Sequence, residues 1–541
     1  MTDLVFTGGP IWTGRPGPRP EALAVRAGRI LATGRRGDVL DALGGGRFDV
    51  VDLDGRLLVP GLHDAHVHPV SGALERLRCD LSDVYDRPGY LRVIGAYAAA
   101  NPAAAWITGG GWSMSAFPGG LPRREDLDAV AGDRPVFLPN RDHHSAWVSS
   151  AALRRAGIDA ASADPPGGRI ERDPDGTPTG VLHEAAMDLV TPLLPADTDE
   201  DYDRALMEAQ RYLCSLGITG WQDAIVGAYA GSRDQFGVYL RADRERRLRA
   251  RVAGALWWER DRGPEQIAGL LRRRADAAAD PGGRFRAGIV KIMQDGVAEN
   301  FTAAMLEPYA GLDARGTSNV HPERLRACVA ELDRAGFAVH FHAIGDRAVR
   351  ECLDAVAGSG NTRRHHVAHL HVVHPDDVPR FAALGVTANI QALWATHHEQ
   401  NDTLCVPYFG PARAAHQYPF GAIARAGGRL AAGSDWPVTT PDPWRAIHVA
   451  VNRTEPPDSP EATWPAARTP MLPEQALTLE QALTAYTAGS AYVSGLDAEI
   501  GDLAAGKAAD LVVLDRDPFE PGTPLYDVHA EMVFIDGEPV G

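Results

Sequence analysis

The segment VPGLHDAHVHP carries two histidines, His66 and His68, at the end of an apolar run. Because side chains alternate between the two faces of a strand, this spacing puts both imidazoles on one face, where they can bind a single cation. The pair is a weak signal by itself, since the chain has 19 histidines and repeats the same spacing elsewhere. A metal site would need further ligands from distant parts of the sequence.

Four other candidate strands end in residues that can bind a metal ion or carry a proton. These residues are Lys291 in VKIMQDG, His342 in HFHAIGD, His369 in HVAHLH and Asp435 in AAGSDWP. In a closed parallel barrel all such strand ends meet at one face. Buried polar groups are costly unless they are paired or bound to metal, so this set favours a metal site. The alternatives are an ion pair from Lys291 to Asp295, and hydrogen-bonded structural roles for His342 and His369.

These motifs occur in an order that is typical of one family. From PGLHDAHVHP through LGITGWQDA, KIMQDG, HAIGDRAV and GSDWPV to GKAADLVVLD, the chain resembles the amidohydrolase superfamily. Within it, the chain is most similar to amidohydrolase family 3, the YtcJ-like group that includes N-substituted formamide deformylases. One motif departs from the pattern, because Ala368 stands where relatives carry a glutamate before the sixth-strand histidine. This departure bears on the subfamily and the substrate more than on metal binding.

The resemblance implies a set of metal ligands at the ends of five strands. They are His66, His68, Lys291, His342, His369 and Asp435. In many members of the superfamily the lysine is carboxylated by CO2 and bridges two metal ions. An unmodified ammonium has no lone pair, so Lys291 can be a ligand only as a carbamate or a neutral amine. We expect one or two divalent ions per chain, and the imidazole-rich ligation favours zinc.

The chemistry of these groups predicts a hydrolase. A divalent metal lowers the pKa of bound water from 15.7 to about 7 and so supplies hydroxide at neutral pH. Asp435 would accept the proton of that water and deliver it to the departing nitrogen of an amide, or would act only as a ligand. The expected substrate is an amide, with N-substituted formamides as one candidate. The alternatives are a deaminase or an esterase on the same site, or a non-catalytic scaffold that keeps the fold.

Three further residues are candidate contacts for the substrate. His144 in RDHHSAW and Glu184 in GVLHEA match positions that recur in relatives, and Trp112 in GGGWSM is placed to form a wall of the pocket. The alternative for each is a structural role in a loop.

Eight short apolar segments alternate with amphipathic helical segments through the middle of the chain. The candidate strands are LLVPGLHDA, LGITGWQDA, RARVAGALWW, AGIVKIMQDG, FAVHFHA, HVAHL, GVTANIQ and RLAAGSD. Helical patterns between them include DYDRALMEAQRYLCSL and PERLRACVAELDRAG. This alternation predicts an α/β fold, a TIM-like (β/α)8 barrel with its chemistry at the C-terminal strand ends.

Both ends of the chain read instead as short strands between glycine and proline turns. We predict that residues 1–58 and 497–541 form one composite β-sandwich, since neither end has enough strands to bury a face alone. Residues 59–496 would form the barrel. The long stretch after its first strand predicts an inserted subdomain at about residues 72–205.

Composition narrows the partners and the location. The net charge of -17 disfavours nucleic acid and anionic lipid surfaces, so a small-molecule substrate is expected. No run of residues is apolar enough to span a membrane, and the first residues lack a signal-peptide pattern. Five cysteines without a CxxC pair suit a reducing compartment, so we expect a cytoplasmic protein. Symmetry statistics favour a homodimer.

Overall fold

A sheet of eight parallel strands forms the centre of the computed structural model, which describes residues 2–229, 232–360 and 363–540. In chain order the barrel strands are Leu62–Val67, Ile218–Val226, Arg251–Trp257, Phe285–Met293, Ala338–Ala343, His366–His369, Thr387–Ile390 and Leu430–Ala432. Each strand pairs with the next one in this order, from the first to the eighth. The predicted α/β barrel is therefore confirmed, with all eight strands where the sequence pattern places them.

Main-chain contacts connect the first and eighth strands beyond their ends. The Asp435 N–H donates to the His66 carbonyl at 2.7 Å, and the His68 N–H donates to the Trp436 carbonyl at 2.8 Å. Gly433 is required at this junction, because a Cβ there would collide with the main-chain nitrogen of His66. The junction holds the HxH and GSDWP motifs side by side.

Helices between consecutive strands pack around the outside of the barrel. They are Asp199–Ser215, Phe236–Arg244, Ile267–Ala278, Pro322–Arg334, Asp346–Ala357, Val378–Leu384 and Phe420–Arg425, followed after the eighth strand by Pro443–Asn452 and Leu479–Thr484. Alternating side chains of the fourth strand face the outer helices and the interior of the barrel. Val290 and Ile292 are buried in the main apolar cluster, whereas Lys291 between them lines the cavity at the barrel mouth.

A second sheet occupies the long connection between the first and second barrel strands. Its six strands are Cys79–Asp80, Ile107–Gly110, Val136–Pro139, Ser145–Val148, Gly168–Arg172 and Pro178–Glu184. The helices Pro69–Arg76, Arg87–Ala100, Arg124–Ala131 and Ser150–Ala156 lie in the same connection. This inserted unit supplies one side of the cavity described below.

The two ends of the chain form two small sheets. One contains Asp3–Thr7, Ala22–Arg26, Arg29–Gly34 and Phe48–Asp52, and the other contains Leu58–Pro60, Leu511–Leu514, Ala530–Ile535 and Glu538–Pro539. Apolar side chains of both sheets share one buried cluster, in which the Phe6 and Phe534 rings meet edge to face at 5.1 Å. Arg251, at the start of the third barrel strand, pairs with Asp510 and, at 2.5 Å, with Asp536. None of the helices within the described residues has both the length and the apolar character needed to cross a bilayer.

We propose that residues 1–58 and 497–541 act as one domain, and deletion of residues 502–541 tests it. The deletion should give insoluble protein, because it exposes the apolar cluster around Phe6 and removes Asp510 and Asp536, which pair with Arg251. Soluble yield and activity would be compared with those of the full-length chain. A truncated chain that is soluble and fully active would contradict the proposal.

Candidate metal centre

A cavity of about 440 Å³ opens at the C-terminal ends of the barrel strands. All six predicted ligands line it: His66, His68, Lys291, His342, His369 and Asp435. The strands that carry them are distant in sequence, so the barrel topology alone brings these groups together.

Asp435 lies at the centre of the cluster. Its Oδ1 is 3.2 Å from His66 Nε2 and 3.0 Å from His68 Nε2, and its Oδ2 is 3.7 Å from His369 Nδ1. Within the described residues, buried His369 Nδ1 makes no hydrogen bond, and buried Asp435 Oδ1 has no partner other than the two imidazoles just named. Ligand atoms of His66, His369 and Asp435 all lie within 4.8 Å of one another.

His342 is oriented by a carboxylate behind it. Its Nδ1 lies 3.2 Å from Asp295 Oδ1, which directs the other ring nitrogen towards the cavity. Asp295 also accepts hydrogen bonds from the main-chain N–H groups of Ala304, Ile344 and Gly345. The His342 ring packs against His369 with centroids 4.5 Å apart.

Lys291 is fully buried and faces the same cavity. In the part of the chain that the structure describes, its Nζ makes neither a hydrogen bond nor an ion pair, and Asp295 is already occupied by His342. The alternative of a Lys291–Asp295 ion pair is therefore contradicted. Burial lowers the Lys291 pKa to about 7, although nearby Asp435 raises it, so a large fraction of the amine is neutral at physiological pH.

Burial also keeps the imidazoles of His66 and His369 neutral. It lowers the pKa of His66 to about 3, with Lys291 acting in the same direction, and it holds the pKa of His369 well below its usual value. Neutral imidazole nitrogens have the lone pair that a metal ion requires.

The donor set therefore fits a divalent cation. Imidazoles, a carboxylate and a neutral amine converge on one point, and two of their buried atoms have no other partner within the described residues. A cation among them would satisfy both orphaned atoms, whereas an empty polar cluster of this kind would be costly.

A chain of polar contacts holds His66 from behind. His340 Nε2 lies 2.9 Å from His66 Nδ1, and His340 Nδ1 lies 2.5 Å from Gln222 Nε2. The same Gln222 atom lies 2.9 Å from His366 Nε2. His340 thus positions a candidate ligand. His371 instead stacks on Tyr418.

Two of the candidate ligands have unusual main-chain conformations. His369 has a φ of 76° and Asp435 a φ of 59°, in the left-handed region that non-glycine residues rarely adopt. Such strain persists where the surrounding structure enforces it, and it concentrates at functional sites.

His144 and Glu184 form a pair on the inserted side of the cavity. His144 Nδ1 lies 3.0 Å from Glu184 Oε2, and His144 lines the cavity with Glu184 behind it. Burial lowers the His144 pKa, but the Glu184 carboxylate outweighs it and raises the pKa to about 9. Asn300, in the loop after the fourth barrel strand, donates to Glu184 Oε1 at 3.2 Å. The pair therefore presents a protonated imidazole to the cavity, with its charge balanced by Glu184 behind it, and ties the inserted unit to the barrel.

Trp112 does not line this cavity, which corrects the prediction made for it. Its side chain is fully buried in the core of the inserted unit, between Phe117 and Trp147, and its Nε1 donates to the Leu138 carbonyl at 2.7 Å. The indole packs against other core side chains and donates its N–H to the main chain, so its role is structural.

Trp394 and Tyr229 line the cavity but are not among the residues predicted from the sequence. Trp394 follows the seventh strand and stacks on His369, with centroids 5.0 Å apart and planes 2° from parallel. Tyr229 follows the second strand and packs against Trp257. Their places just after barrel strands were the available signal, because such loops build the mouth of a barrel.

Comparison with known proteins identifies relatives over nearly the whole chain. A model of the amidohydrolase family (Amidohydro_3) matches residues 49–541. Protein LONG AFTER FAR-RED 3 of Arabidopsis thaliana is 31% identical over 538 residues, which cover 96% of this chain and 88% of the relative. Putative amidohydrolase YtcJ of Bacillus subtilis is 28% identical and covers 99% of both chains. N-substituted formamide deformylase of Arthrobacter pascens is 27% identical over 96% of this chain and 94% of the relative.

Solved structures share the fold. An uncharacterized metal-dependent hydrolase from Pyrococcus furiosus aligns with a TM-score of 0.72 and 26% identity, covering 95% of this chain and 99% of that chain. A second one, from Pyrococcus horikoshii, aligns with a TM-score of 0.76 and 24% identity over 98% and 100% of the two chains.

Proposed function

The chain belongs to the amidohydrolase family and is a hydrolase, and from that premise we propose that it cleaves the C–N bond of an amide at a divalent-metal centre. The observation that carries the proposal is a buried cluster of ligand atoms from His66, His68, His369 and Asp435. Within the described residues, His369 Nδ1 in this cluster makes no hydrogen bond. The similarity to the Pyrococcus furiosus protein, a metal-dependent hydrolase, supports the use of a metal.

His66, His68, His342, His369 and Asp435 would hold the cation, with Lys291 as a further ligand. When bound, a divalent cation acidifies water and polarises a carbonyl group, and zinc suits the imidazole-rich set. Asp435 Oδ1 would accept a proton from the attacking water and deliver it to the amide nitrogen, which becomes the leaving amine. The amide carbon gains the oxygen of water as its bond to nitrogen breaks.

His144 would bind the substrate. Its Nδ1 is engaged by Glu184, so its Nε2–H is the donor available to a carbonyl or carboxylate in the cavity. Because Glu184 raises the His144 pKa to about 9, this donor stays charged at neutral pH. Charged donors form the stronger hydrogen bonds.

The substrate class follows from the relatives and the cavity walls. One relative is named as an N-substituted formamide deformylase. Phe137, Leu194, Pro195 and Val438 provide apolar walls beside the polar base of the cavity. We propose an N-substituted amide, such as a formamide, whose carbonyl lies at the metal centre and whose N-substituent lies along these walls.

A substrate panel tests this function. Metal-loaded protein would be incubated with N-pentylformamide, with its matched ester pentyl formate, and with adenosine as an amino-heterocycle. The amide should be hydrolysed to formate and pentylamine. Turnover of only the ester would indicate an esterase, and turnover of only the heterocycle would indicate a deaminase. Inactivity towards a wide panel of all three classes would favour a non-catalytic scaffold.

Lys291→Ala should lower the metal content, by up to one ion per chain if a carbamate bridges two ions. A buried amine with a pKa of about 7 reacts readily with CO2, and alanine has no group that could take over the bridge. Metal would be measured by mass spectrometry, and added acetate should partly restore the bridge. An unchanged metal content and rate would leave a mononuclear site held by the histidines and Asp435.

A further inference from the structure

A second cavity, of about 370 Å³, adjoins the catalytic cavity, and we call it the side chamber. The two cavities share Asp142, Val297, Trp394 and Val438 as walls. Trp394 also stacks on His369 at 5.0 Å. A substrate at the metal centre is therefore separated from the side chamber by little more than one indole ring.

Acidic side chains dominate the side chamber. Its charged lining residues are Asp83, Asp142, Glu299, Glu455, Asp458, Glu461, Arg141 and Arg445. Arg445 pairs with Asp458 at 2.5 Å. Across the described ranges, the other five carboxylates have no ion-pair partner. Arg141 donates to the Gly111 carbonyl at 3.0 Å and lies 3.7 Å over the Tyr85 ring, so it is already held by other groups.

Glu455 is the most informative of these carboxylates, because it is buried without a cationic ion-pair partner among the described residues. It is only 5% exposed, Thr396 Oγ1 donates to it at 2.9 Å, and Ser459 is a second neutral hydrogen-bond partner. Burial and then the neighbouring Glu461 raise the Glu455 pKa to about 7. Buried carboxylates are normally paired with a cation, and here the place of such a partner is an open chamber.

Two buried donors that line the same chamber also lack partners within the described residues. Asn401 is 1% exposed and lines the chamber, and its Nδ2 has no partner within the described residues, while its Oδ1 contacts His371 at 3.2 Å. Trp394 Nε1 is likewise buried without a partner in that part of the chain. Buried amide and indole groups seldom lack partners in native proteins, so a bound molecule is their natural complement.

We propose that the side chamber receives a primary ammonium group of the substrate, so that the cleaved amide carries a cationic amine at the far end of its N-substituent. The inference rests on the proposed function for the identity of the substrate. An ammonium group has three donors and a compact charge, which suit the separated carboxylates of Glu299, Glu455 and Glu461.

Binding of n-butylammonium tests the chamber independently of catalysis. By titration calorimetry, the metal-loaded full-length protein should bind n-butylammonium at least about 10-fold more tightly than butan-1-ol. Glu455→Gln combined with Glu461→Gln should remove that preference, and Glu461→Gln alone, at a partly exposed position, should reduce it without risk to folding. Glu531→Gln, at an exposed position, is the matched control and should change nothing.

Absence of binding, tighter binding of Mg²⁺ than of n-butylammonium, or binding that is indifferent to both glutamate substitutions would overturn the inference. A substrate pair adds a second measure. N-(4-aminobutyl)formamide should have a kcat/KM about 10-fold or more above that of N-pentylformamide, and the double variant should lose this ratio. If neither amide is hydrolysed but n-butylammonium binds through Glu455 and Glu461, the proposed reaction fails while the chamber assignment stands.

Discussion

Replacing His66 and His68 together by alanine is expected to abolish both bound metal and hydrolysis. The two imidazoles contact the same oxygen of Asp435, at 3.2 and 3.0 Å, and hold one side of the cluster. Their loss removes two of the six candidate ligands and both imidazoles that hold Asp435 Oδ1, so the groups that remain should lose the cation during purification. Metal content by mass spectrometry and amide turnover are the two measurements.

His321→Ala combined with His529→Ala is the matched control, because it removes two exposed imidazoles from the same chain. This control should keep the metal and the rate of the parent protein. Stoichiometric metal in the His66/His68 variant would remove both residues from the site.

Asp435→Asn is expected to lower turnover by about 100-fold or more while most of the metal is retained. Asparagine keeps the size and one oxygen donor of aspartate but cannot accept a proton at neutral pH, and the loss of a general acid or base has an effect of this size. Burial opposes ionisation, but the surrounding imidazoles hold the Asp435 pKa well below its usual value, so the side chain is an ionised carboxylate that has no proton of its own.

Asp313→Asn, at an exposed position, controls for the loss of one negative charge. It should leave both quantities unchanged. Near-normal turnover in Asp435→Asn would limit Asp435 to metal binding.

Sequence periodicity predicts the barrel and the convergence at its mouth well, for a physical reason. Period-two spacing and apolar runs define strands, and parallel strand ends must meet, so Lys291, His342, His369 and Asp435 could be placed together before the structure was known. The family match confirms the resemblance carried by the same motifs.

Contacts that depend on register and on loop conformation could not be predicted in the same way. His340 reaches His66 only because it lies opposite Lys291 in the pairing of the fourth and fifth strands. The prediction that Trp112 lines the cavity was wrong, because its glycine-rich surroundings resemble a loop. The indole instead lies in the core of the inserted unit. The side chamber is built from loops after several strands, and no local pattern predicts that Glu455 and Asn401 share it.

The most direct test of a metal-dependent hydrolase is the metal content of the purified full-length protein, measured together with amide hydrolysis before and after chelation. We expect one or two divalent ions per chain, loss of hydrolysis when the ions are removed, and recovery when zinc is returned in stoichiometric amount. Full amide hydrolysis by protein from which the metal has been removed would contradict the proposed function.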